Sequence, residues 1–297
     1  MKERRDEQQK DGRRKPAGSN GRQHTKKSGA SRGRPSDARS SHDGSEGTTN
    51  PAGDRLNKVL ASAGVASRGK ADGMSAGGGV RVNGRVIVEL GTRVHPTDEI
   101  AVGGRTIRSS NRRRYVLLNK PRDTISTASD ERGRRTVVDL VGGPERLYPV
   151  GRLDRHTTGV LLLTNDGDLA NRMMHPRYGI ERIYRARLDK PISTAHAKKV
   201  AAGLDIGRGE RSSPCDVSVR SDNAADVELQ LAEGKNREVR RMFERLGYDV
   251  KRLDRIAYAG LSTRGLSRGA WRDLAPAEVR ELMHRLGLRG RANKSRR

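Results

Sequence analysis

Apolar residues recur with helical or strand spacing from about residue 54 to residue 285. The first helical pattern is formed by Leu56, Val59, Leu60 and Ala63, which fall at i, i+3, i+4 and i+7. Asp54 is the predicted N-cap of this helix, and Ser67 is the predicted cap of a second one. Asn83-Gly84 separates two short valine-rich runs and predicts a β-hairpin. The region therefore begins with two helices and continues into short strands.

A second series of elements follows Tyr115. Its predicted strands are Val116–Leu118, Glu181–Leu188, Asp216–Val219 and Asp226–Leu231. Its predicted helices begin after Ser193, at Asn236 and at Pro276. The polar, basic stretch 109–114 separates this series from the first and predicts a linker. Two folded domains are expected, at 54–108 and 115–285.

A polar loop at 151–159 is followed by the apolar run Val160–Leu163 and by the turn signal Asn165-Asp166-Gly167. Asp166 or Asp168 is expected to cap a helix after that turn. Asp154 lies in the loop with Arg152 and Arg155 beside it, and these cations favour its ionised form. A charged carboxylate suits a nucleophile or an electrostatic stabiliser better than a general acid. The competing interpretation is an ordinary salt-bridged loop aspartate.

The stretch 151–167 resembles the catalytic motif G-R-L-D-x-x-T-x-G-L-L-L-x-T-N-D-G of bacterial rRNA pseudouridine synthases of the RsuA/RluB/RluE/RluF type. Leu118-Asn119-Lys120-Pro121 resembles the L-N-K-P segment of that family. The stretch 233–242 resembles its E-G-K-x-x-Q-V-R-R-M motif. The resemblance implies that Asp154 is the catalytic aspartate, Tyr184 the active-site tyrosine and Arg240 the active-site arginine. Arg240 is expected to pair with Asp154.

The first folded segment resembles an S4 RNA-binding domain. The similarity is carried by residues 55–60, 64–68 and 80–84, while Gly69 and Gly73 depart from the helix-forming stretch usual in the family and weaken the second helix. The implied fold class is α+β, with a small S4-type domain and a larger pseudouridine synthase domain built on a mixed or antiparallel sheet. Nine basic residues are predicted to bind RNA: Arg55, Lys58, Arg68, Lys70, Lys120, Arg152, Lys235, Arg237 and Arg241. A solvated charged face is the alternative for those in the first domain.

The composition narrows the class of partner. The formal net charge is +26, and such an excess favours a polyanion such as RNA. Residues 1–53 contain no Leu, Ile, Val, Phe, Tyr or Trp, which predicts a disordered basic tail; residues 286–297 form a second basic tail. Arg237, Arg241 and Arg245 are spaced as a basic ridge on one helix, and the alternative of a solvated charged face is preferred for Arg245. Cys215 is the single cysteine, which is typical of a reducing compartment.

The predicted function is site-specific isomerisation of uridine to pseudouridine in 16S or 23S ribosomal RNA. The chain is expected to act in the cytoplasm as a monomer, without a membrane, a metal or a cofactor. A noncatalytic RNA-binding ribosome-assembly factor is the first alternative. A nucleoside or nucleic-acid glycosidase is the second, although the motif lacks the second carboxylate that such chemistry uses.

Overall fold

The computed structural model describes residues 53–107 and 113–288. Most of the predicted N-terminal tail, of the predicted linker and of the C-terminal tail lies outside these residues. No helix among the described residues is long and apolar enough to cross a membrane.

The first part of the chain combines two helices with short antiparallel strands. Its elements are β1 (Asp54–Arg55), α1 (Leu56–Ser62), α2 (Arg68–Ala76), β2 (Val80–Val82), β3 (Arg85–Val86), β4 (Arg93–Val94), β5 (Ile100–Val102) and β6 (Arg105–Thr106). The four-stranded sheet has the order β3-β2-β5-β6, and β1 pairs with β4. Leu60, Ala71 and Val80 are fully buried between the helices and this sheet.

The local signals of this part are confirmed except at its start. Ser67 caps α2 by accepting a hydrogen bond from the Lys70 amide, so the helix forms despite its glycines. Asn83 and Gly84 have φ angles of 49° and 79°, as a two-residue hairpin turn requires. Asp54 does not cap α1, because it pairs in β1 and its carboxylate binds Lys58 at 3.1 Å; Arg55 takes the N-cap position.

The second part is built on one large sheet. Its strands are β7 (Tyr115–Lys120), β8 (Tyr148–Pro149), β9 (Thr158–Thr164), β10 (Arg182–Leu188), β11 (Asp205–Gly207), β12 (Glu210–Arg211), β13 (Asp216–Val219), β14 (Asp226–Leu231), β15 (Val250–Tyr258), β16 (Leu261–Ser262) and β17 (Trp271–Asp273). Its helices are α3 (Val137–Val141), α4 (Gly167–Met174), α5 (Thr194–Ala201), α6 (Glu238–Glu244) and α7 (Pro276–Arg285), with a 3₁₀ turn at Pro176–Tyr178. Asp166, Ser193 and Pro276 start helices as predicted.

The nine-stranded sheet is mixed, which confirms the expected fold class. Its main order is β13-β14-β10-β15-β9-β7-β17, with β8 on β9 and β16 on β15. The β9–β15 pair is parallel and the other pairs are antiparallel. The hairpin β11–β12 stands apart from this sheet. The centre of the sheet thus places the start of β9 beside β15 and close to β10.

Strand β9 is buried on both faces, which explains its unbroken apolar run. Val160 and Leu162 pack with α4 and α7 on one face, and Leu161 and Leu163 pack with α3 on the other. Gly159, at the start of the run, has φ 105°, and a Cβ there would stand 2.2 Å from the Arg255 carbonyl oxygen. Only glycine therefore lets β9 approach β15 so closely.

The two parts of the chain touch through polar side chains. The Lys58 ammonium lies 3.2 Å from the Asp168 carboxylate, and Arg146 donates to the Ala66 carbonyl at 3.2 Å. Arg113 and Arg114, the described end of the predicted linker, are also tied down. Arg113 pairs with Asp166 at 2.7 Å, and Arg114 pairs with two acidic residues of the second part.

Candidate active site

Asp154 lies in the loop that feeds β9, as the sequence predicts. The loop turns through a hydrogen bond from the Thr157 amide to the Asp154 carbonyl at 3.0 Å. The buried Ser126 hydroxyl bonds both backbone groups of Leu153, at 2.9 and 3.2 Å. The Asp154 side chain is 36% exposed, so a fixed backbone presents a carboxylate that a substrate can reach.

Lys120 holds the other side of this loop. Its side chain is fully buried, and Nζ lies within hydrogen-bonding distance of the carbonyl oxygens of Pro121, Asp154, Arg155 and Thr157, at 2.9 to 3.3 Å. Burial lowers the pKa of Lys120 to about 8, with Asp154 acting in the opposite direction. The prediction that Lys120 binds RNA is wrong, because its ammonium is turned inward onto backbone oxygens.

The cation within ion-pair distance of Asp154, among the residues that the structure describes, is Arg237. Its Nη1 lies 3.9 Å from Asp154 Oδ2. Arg237 precedes α6 in a left-handed conformation, with φ 49°, which is uncommon for a residue other than glycine. This backbone conformation belongs to the turn that brings Arg237 to the aspartate loop.

Arg240 does not form the direct pair with Asp154 that the sequence analysis expects. Its Nη1 donates to the Val250 carbonyl at 2.7 Å, which ties α6 to β15. Burial and the neighbouring Arg237 lower the pKa of Arg240, while Asp154 acts to raise it. Arg240 therefore contributes to the electrostatic surroundings of Asp154 without bonding it.

The two arginines that flank Asp154 in sequence differ in their contacts. Arg152 is exposed and lines the cavity beside Asp154. Arg155 instead pairs with Asp123 at 3.1 Å. Asp123 occupies a left-handed position, with φ 59°.

An open cavity brings residues of two sequence motifs together with a strand tyrosine. Tyr184 reaches it from β10, where its half-buried ring also packs between two core clusters. The cavity is lined by Arg152, Leu153, Asp154, Thr157, Tyr184, Leu231, Gly234, Lys235, Arg237, Glu238, Val239 and Leu253. Its walls are partly apolar and its polar groups converge near one carboxylate, which suits a flat, polar-edged base.

Arg241 is a structural residue, so its predicted contact with RNA is wrong. Its side chain is 8% exposed, and its guanidinium donates to the carbonyls of Ile206 and Gly207 at 2.9 and 2.6 Å. It also pairs with Glu210 of β12 at 2.5 Å. These bonds fasten the β11–β12 hairpin to α6. Arg245 faces Asp205 of the same hairpin at 3.4 Å, so no continuous basic ridge is presented to RNA by this described helix.

The other basic residues that were predicted to bind RNA are either paired with acidic residues or exposed. Lys235 lines the cavity, and its Nζ binds the Glu233 carboxylate and the Arg211 carbonyl. Lys58 is engaged by Asp54 and Asp168. The predicted RNA-binding side chains that stand exposed on the first part of the chain are Arg55, Arg68 and Lys70.

Glu238 is a cavity residue that sequence reasoning missed. It is 4% exposed at the start of α6, and its Oε2 accepts a hydrogen bond from the Lys235 amide at 2.9 Å. Burial raises the pKa of Glu238, and repulsion from Glu233 adds to this effect against the opposing Lys235 amide. The departure from Gln in the resembled motif was the available signal.

The histidines among the described residues do not gather into a ligand set. His175 Nδ1 accepts a hydrogen bond from the Arg177 amide at 3.2 Å. Within 53–107 and 113–288, no three His, Cys, Asp or Glu side chains are placed to hold a metal ion.

Comparison with known proteins gives consistent matches over most of the chain. A family model for RNA pseudouridylate synthase matches residues 114–245, and one for the S4 domain matches residues 54–100. Ribosomal large subunit pseudouridine synthase B of Bacillus subtilis is 43% identical over 234 residues, covering 77% of this chain and 95% of that protein. Dual-specificity RNA pseudouridine synthase RluF of Escherichia coli is 36% identical, covering 77% of this chain and 78% of that protein. A crystal structure of a pseudouridylate synthase superposes with a TM-score of 0.57 at 27% identity, covering 77% of this chain and 99% of that one.

Proposed function

This chain belongs to the RNA pseudouridylate synthase family and is an enzyme that converts uridine to pseudouridine, and we propose that its substrate is ribosomal RNA and its catalytic carboxylate Asp154. The observation that carries the proposal is the convergence of Asp154, Tyr184 and Arg237 on one cavity. The rRNA substrate is supported by the relative from Bacillus subtilis, whose name assigns it to the large ribosomal subunit.

The reaction exchanges one bond to the sugar for another. The N1–C1′ bond of uridine breaks, the uracil turns, and C5 bonds to C1′; C5 then loses its proton and N1 gains one. The target nucleotide must leave the base stack before these atoms can be reached. Because no electrons are gained or lost overall, the chemistry needs acid–base and electrostatic groups rather than a redox centre.

Asp154 has two roles compatible with its position. It attacks C1′ as a nucleophile, or it assists removal of a proton from the sugar. Both roles use the ionised carboxylate, and Arg237 at 3.9 Å helps to aim it. The Lys120 and Ser126 contacts fix the loop backbone, so the carboxylate is positioned before the RNA arrives.

Tyr184 and the apolar walls would receive the extruded uracil. The ring of Tyr184 offers a face for stacking and its hydroxyl a polar contact. Arg152 and Lys235 stand at the same cavity and supply positive charge for the flanking phosphates. Arg240 remains in the proposed site as a supporting cation, because Asp154 influences it electrostatically.

Residues 54–108 are proposed as the RNA-binding domain and 115–285 as the catalytic domain. Arg55, Arg68 and Lys70 are the exposed cations on the first of these that we expect to contact phosphate. Action as a monomer is part of this proposal. Cytoplasmic action is proposed because ribosomal RNA is the expected substrate.

Product analysis tests this function against its alternatives. The full-length protein is incubated with unmodified 16S and 23S transcripts, and the nucleosides are separated after digestion. The proposal predicts pseudouridine at defined positions of these transcripts. In ribosomal RNA from a strain that lacks the gene, the same positions should carry unmodified uridine. Unchanged uridine with retained binding would indicate a noncatalytic factor. Free uracil would indicate a glycosidase, for which Glu238 would supply the second carboxyl group in the cavity.

A further inference from the structure

One oxygen of the Glu238 carboxyl group is buried and has no hydrogen-bond donor as long as that group is ionised. Its Oε2 accepts from the Lys235 amide at 2.9 Å, while Oε1 is enclosed without a hydrogen-bond partner among the described residues. Glu233 acts on Glu238 through its charge and through a hydrogen bond between the two carboxyl groups, and both effects raise the pKa of Glu238. Two ionised carboxylates offer no proton to each other, so this contact is satisfied only if one of them is protonated.

The surroundings show which of the two holds the proton. Glu233 accepts from the Ser213 amide at 3.0 Å, from the Ser213 hydroxyl at 2.6 Å and from the Lys235 ammonium. Although burial acts to raise the pKa of Glu233, these donors outweigh it and lower that pKa. Glu238 is more deeply buried, accepts from a backbone amide, and has its pKa raised.

We propose that Glu238 keeps a proton which it donates to Glu233, and that this carboxyl pair positions Lys235 and Arg237 at the cavity. The pair fixes both ends of the stretch 233–238, because Glu233 accepts a hydrogen bond from the Lys235 ammonium and Glu238 accepts one from the Lys235 backbone amide. Arg237 follows in its left-handed conformation and faces Asp154. Glu238 is therefore a positioning residue that acts on Asp154 through Arg237.

The motif that this stretch resembles has Gln at the position of Glu238. A neutral glutamine offers one acceptor and an amide donor, which is the same hydrogen-bonding pattern as a protonated glutamic acid. Glutamate in place of this glutamine therefore keeps the same hydrogen-bonding pattern only while the Glu238 carboxyl group is protonated.

The charge near Glu238 is mixed, so ionisation would disturb several neighbours. The titratable and charged groups that face it in contact or across the cavity are Glu233, Lys235, Cys215, Asp154, Tyr184, Arg152 and Arg237. An ionised Glu238 would repel Glu233 and compete with it for the Lys235 ammonium. The stretch that carries Arg237 would then lose its defined position.

The pH dependence of unfolding tests the proton directly and without any RNA. The pKa of Glu238 is raised in the folded protein above its usual value, so its stabilising effect is fully present below pH 4.5 and is lost as pH rises through the folded value. Glu238→Gln cannot ionise and should lack this loss. The urea midpoint of the full-length wild type should therefore fall, relative to Glu238→Gln, as pH is raised from 5 to 8.

Two further variants complete the stability test. Glu281→Gln removes an exposed, salt-bridged carboxylate of α7 and should show no such relative shift. Glu233→Gln removes the repulsion that helps to keep Glu238 neutral, so the pH-dependent difference should shrink in that background. A difference between wild type and Glu238→Gln that stays constant from pH 5 to 8 would overturn the assigned proton.

The positioning role rests on the proposed function and has its own measurement. Single-turnover rates on saturating ribosomal RNA transcripts at pH 8 should fall by about tenfold or more for Glu238→Leu, and Glu238→Gln should restore them. Equal single-turnover rates for Glu238→Leu and Glu238→Gln would show that Glu238 does not position the site. If the wild type itself formed no pseudouridine in the transcripts, the proposed function would fail. The stability result would still show whether Glu238 holds a proton.

Discussion

Three polar side chains determine how the carboxylate of Asp154 is presented. Lys120 bonds the carbonyl oxygens of the aspartate loop, Arg237 approaches the carboxylate itself, and Glu238 supports the stretch that carries Arg237. Asp154 is identifiable from the sequence because its motif is local and dense. The inward direction of Lys120 and Glu238 is not, because an ionisable residue looks the same in sequence whether it faces solvent or bonds to backbone groups.

Replacing Lys120 tests its structural role. Lys120→Met keeps a similar length but leaves the carbonyl oxygens of Asp154 and Thr157 without their buried donor. We expect a loss of about 3 kcal/mol in the free energy of unfolding, because unpaired buried polar groups keep their full desolvation cost. Lys251→Met, which removes an exposed lysine, should leave the unfolding free energy close to that of the wild type. Urea unfolding followed by circular dichroism measures both, and equal stabilities would refute the structural role of Lys120.

Substitutions of the two arginines near Asp154 should differ in their effects on rate and stability. Arg237→Met removes the cation at 3.9 Å, so the single-turnover rate should fall by about tenfold while the fold remains stable. Arg240→Met leaves the Val250 carbonyl without its donor, so it should lower the urea midpoint as well as the rate. A rate loss confined to Arg240→Met, with Arg237→Met at the wild-type rate, would restore Arg240 as the direct partner of Asp154.

At the scale of elements, local sequence signals predict the ends of helices better than the packing between elements. Asp166, Ser193 and Pro276 start their helices because capping depends on residues within one turn. The parallel pairing of β9 with β15 joins Thr158 to Asp254, far apart in the chain, and no local pattern encodes it. The same holds for the β11–β12 hairpin, whose attachment to α6 depends on a buried arginine.

Arg241 provides the element-scale test. Its planar guanidinium donates to Ile206, Gly207 and Glu210 at once, which a lysine ammonium cannot reproduce in the same geometry. Arg241→Lys should therefore cost about 2 to 3 kcal/mol in unfolding free energy and leave the salt dependence of RNA binding unchanged. Arg245→Lys, on the exposed side of the same helix, is the matched control. Weaker RNA binding by Arg241→Lys with unaltered stability would return this residue to the RNA interface.

The whole molecule combines a strongly basic chain with one defined cavity around Asp154. The net charge of +26 was informative from the sequence alone, because electrostatic attraction to RNA depends on the total more than on detailed placement. Which cations face solvent and can reach RNA required the structure, since Lys120 and Arg241 are buried and Lys58 bridges two acidic residues. The S4 and synthase motifs indicated the fold class because both are local and occur in a fixed order.

RNA affinity should therefore fall steeply as salt increases. Each phosphate that a cation neutralises releases counterions, so the logarithm of the association constant should decrease linearly with the logarithm of the salt concentration. Removing exposed cations with Arg68→Ala and Lys70→Ala should make that slope shallower by about one for each phosphate that is no longer neutralised. Filter binding of a ribosomal RNA transcript at several potassium chloride concentrations measures it. A dissociation constant that did not change with salt would exclude the electrostatic account.

Asp154→Asn is the substitution that tests the central claim most directly. The amide is nearly isosteric, so the loop held by Lys120 and Ser126 should keep its fold, and RNA binding should stay within a few fold because phosphate contacts carry most of the affinity. The measurement is tritium release from ribosomal RNA transcripts containing 5-tritiated uridine, with circular dichroism as the folding control. The account predicts release by the wild type and none by a folded, RNA-binding Asp154→Asn protein. Release at the wild-type rate by that variant would contradict the assignment of Asp154 as the catalytic carboxylate.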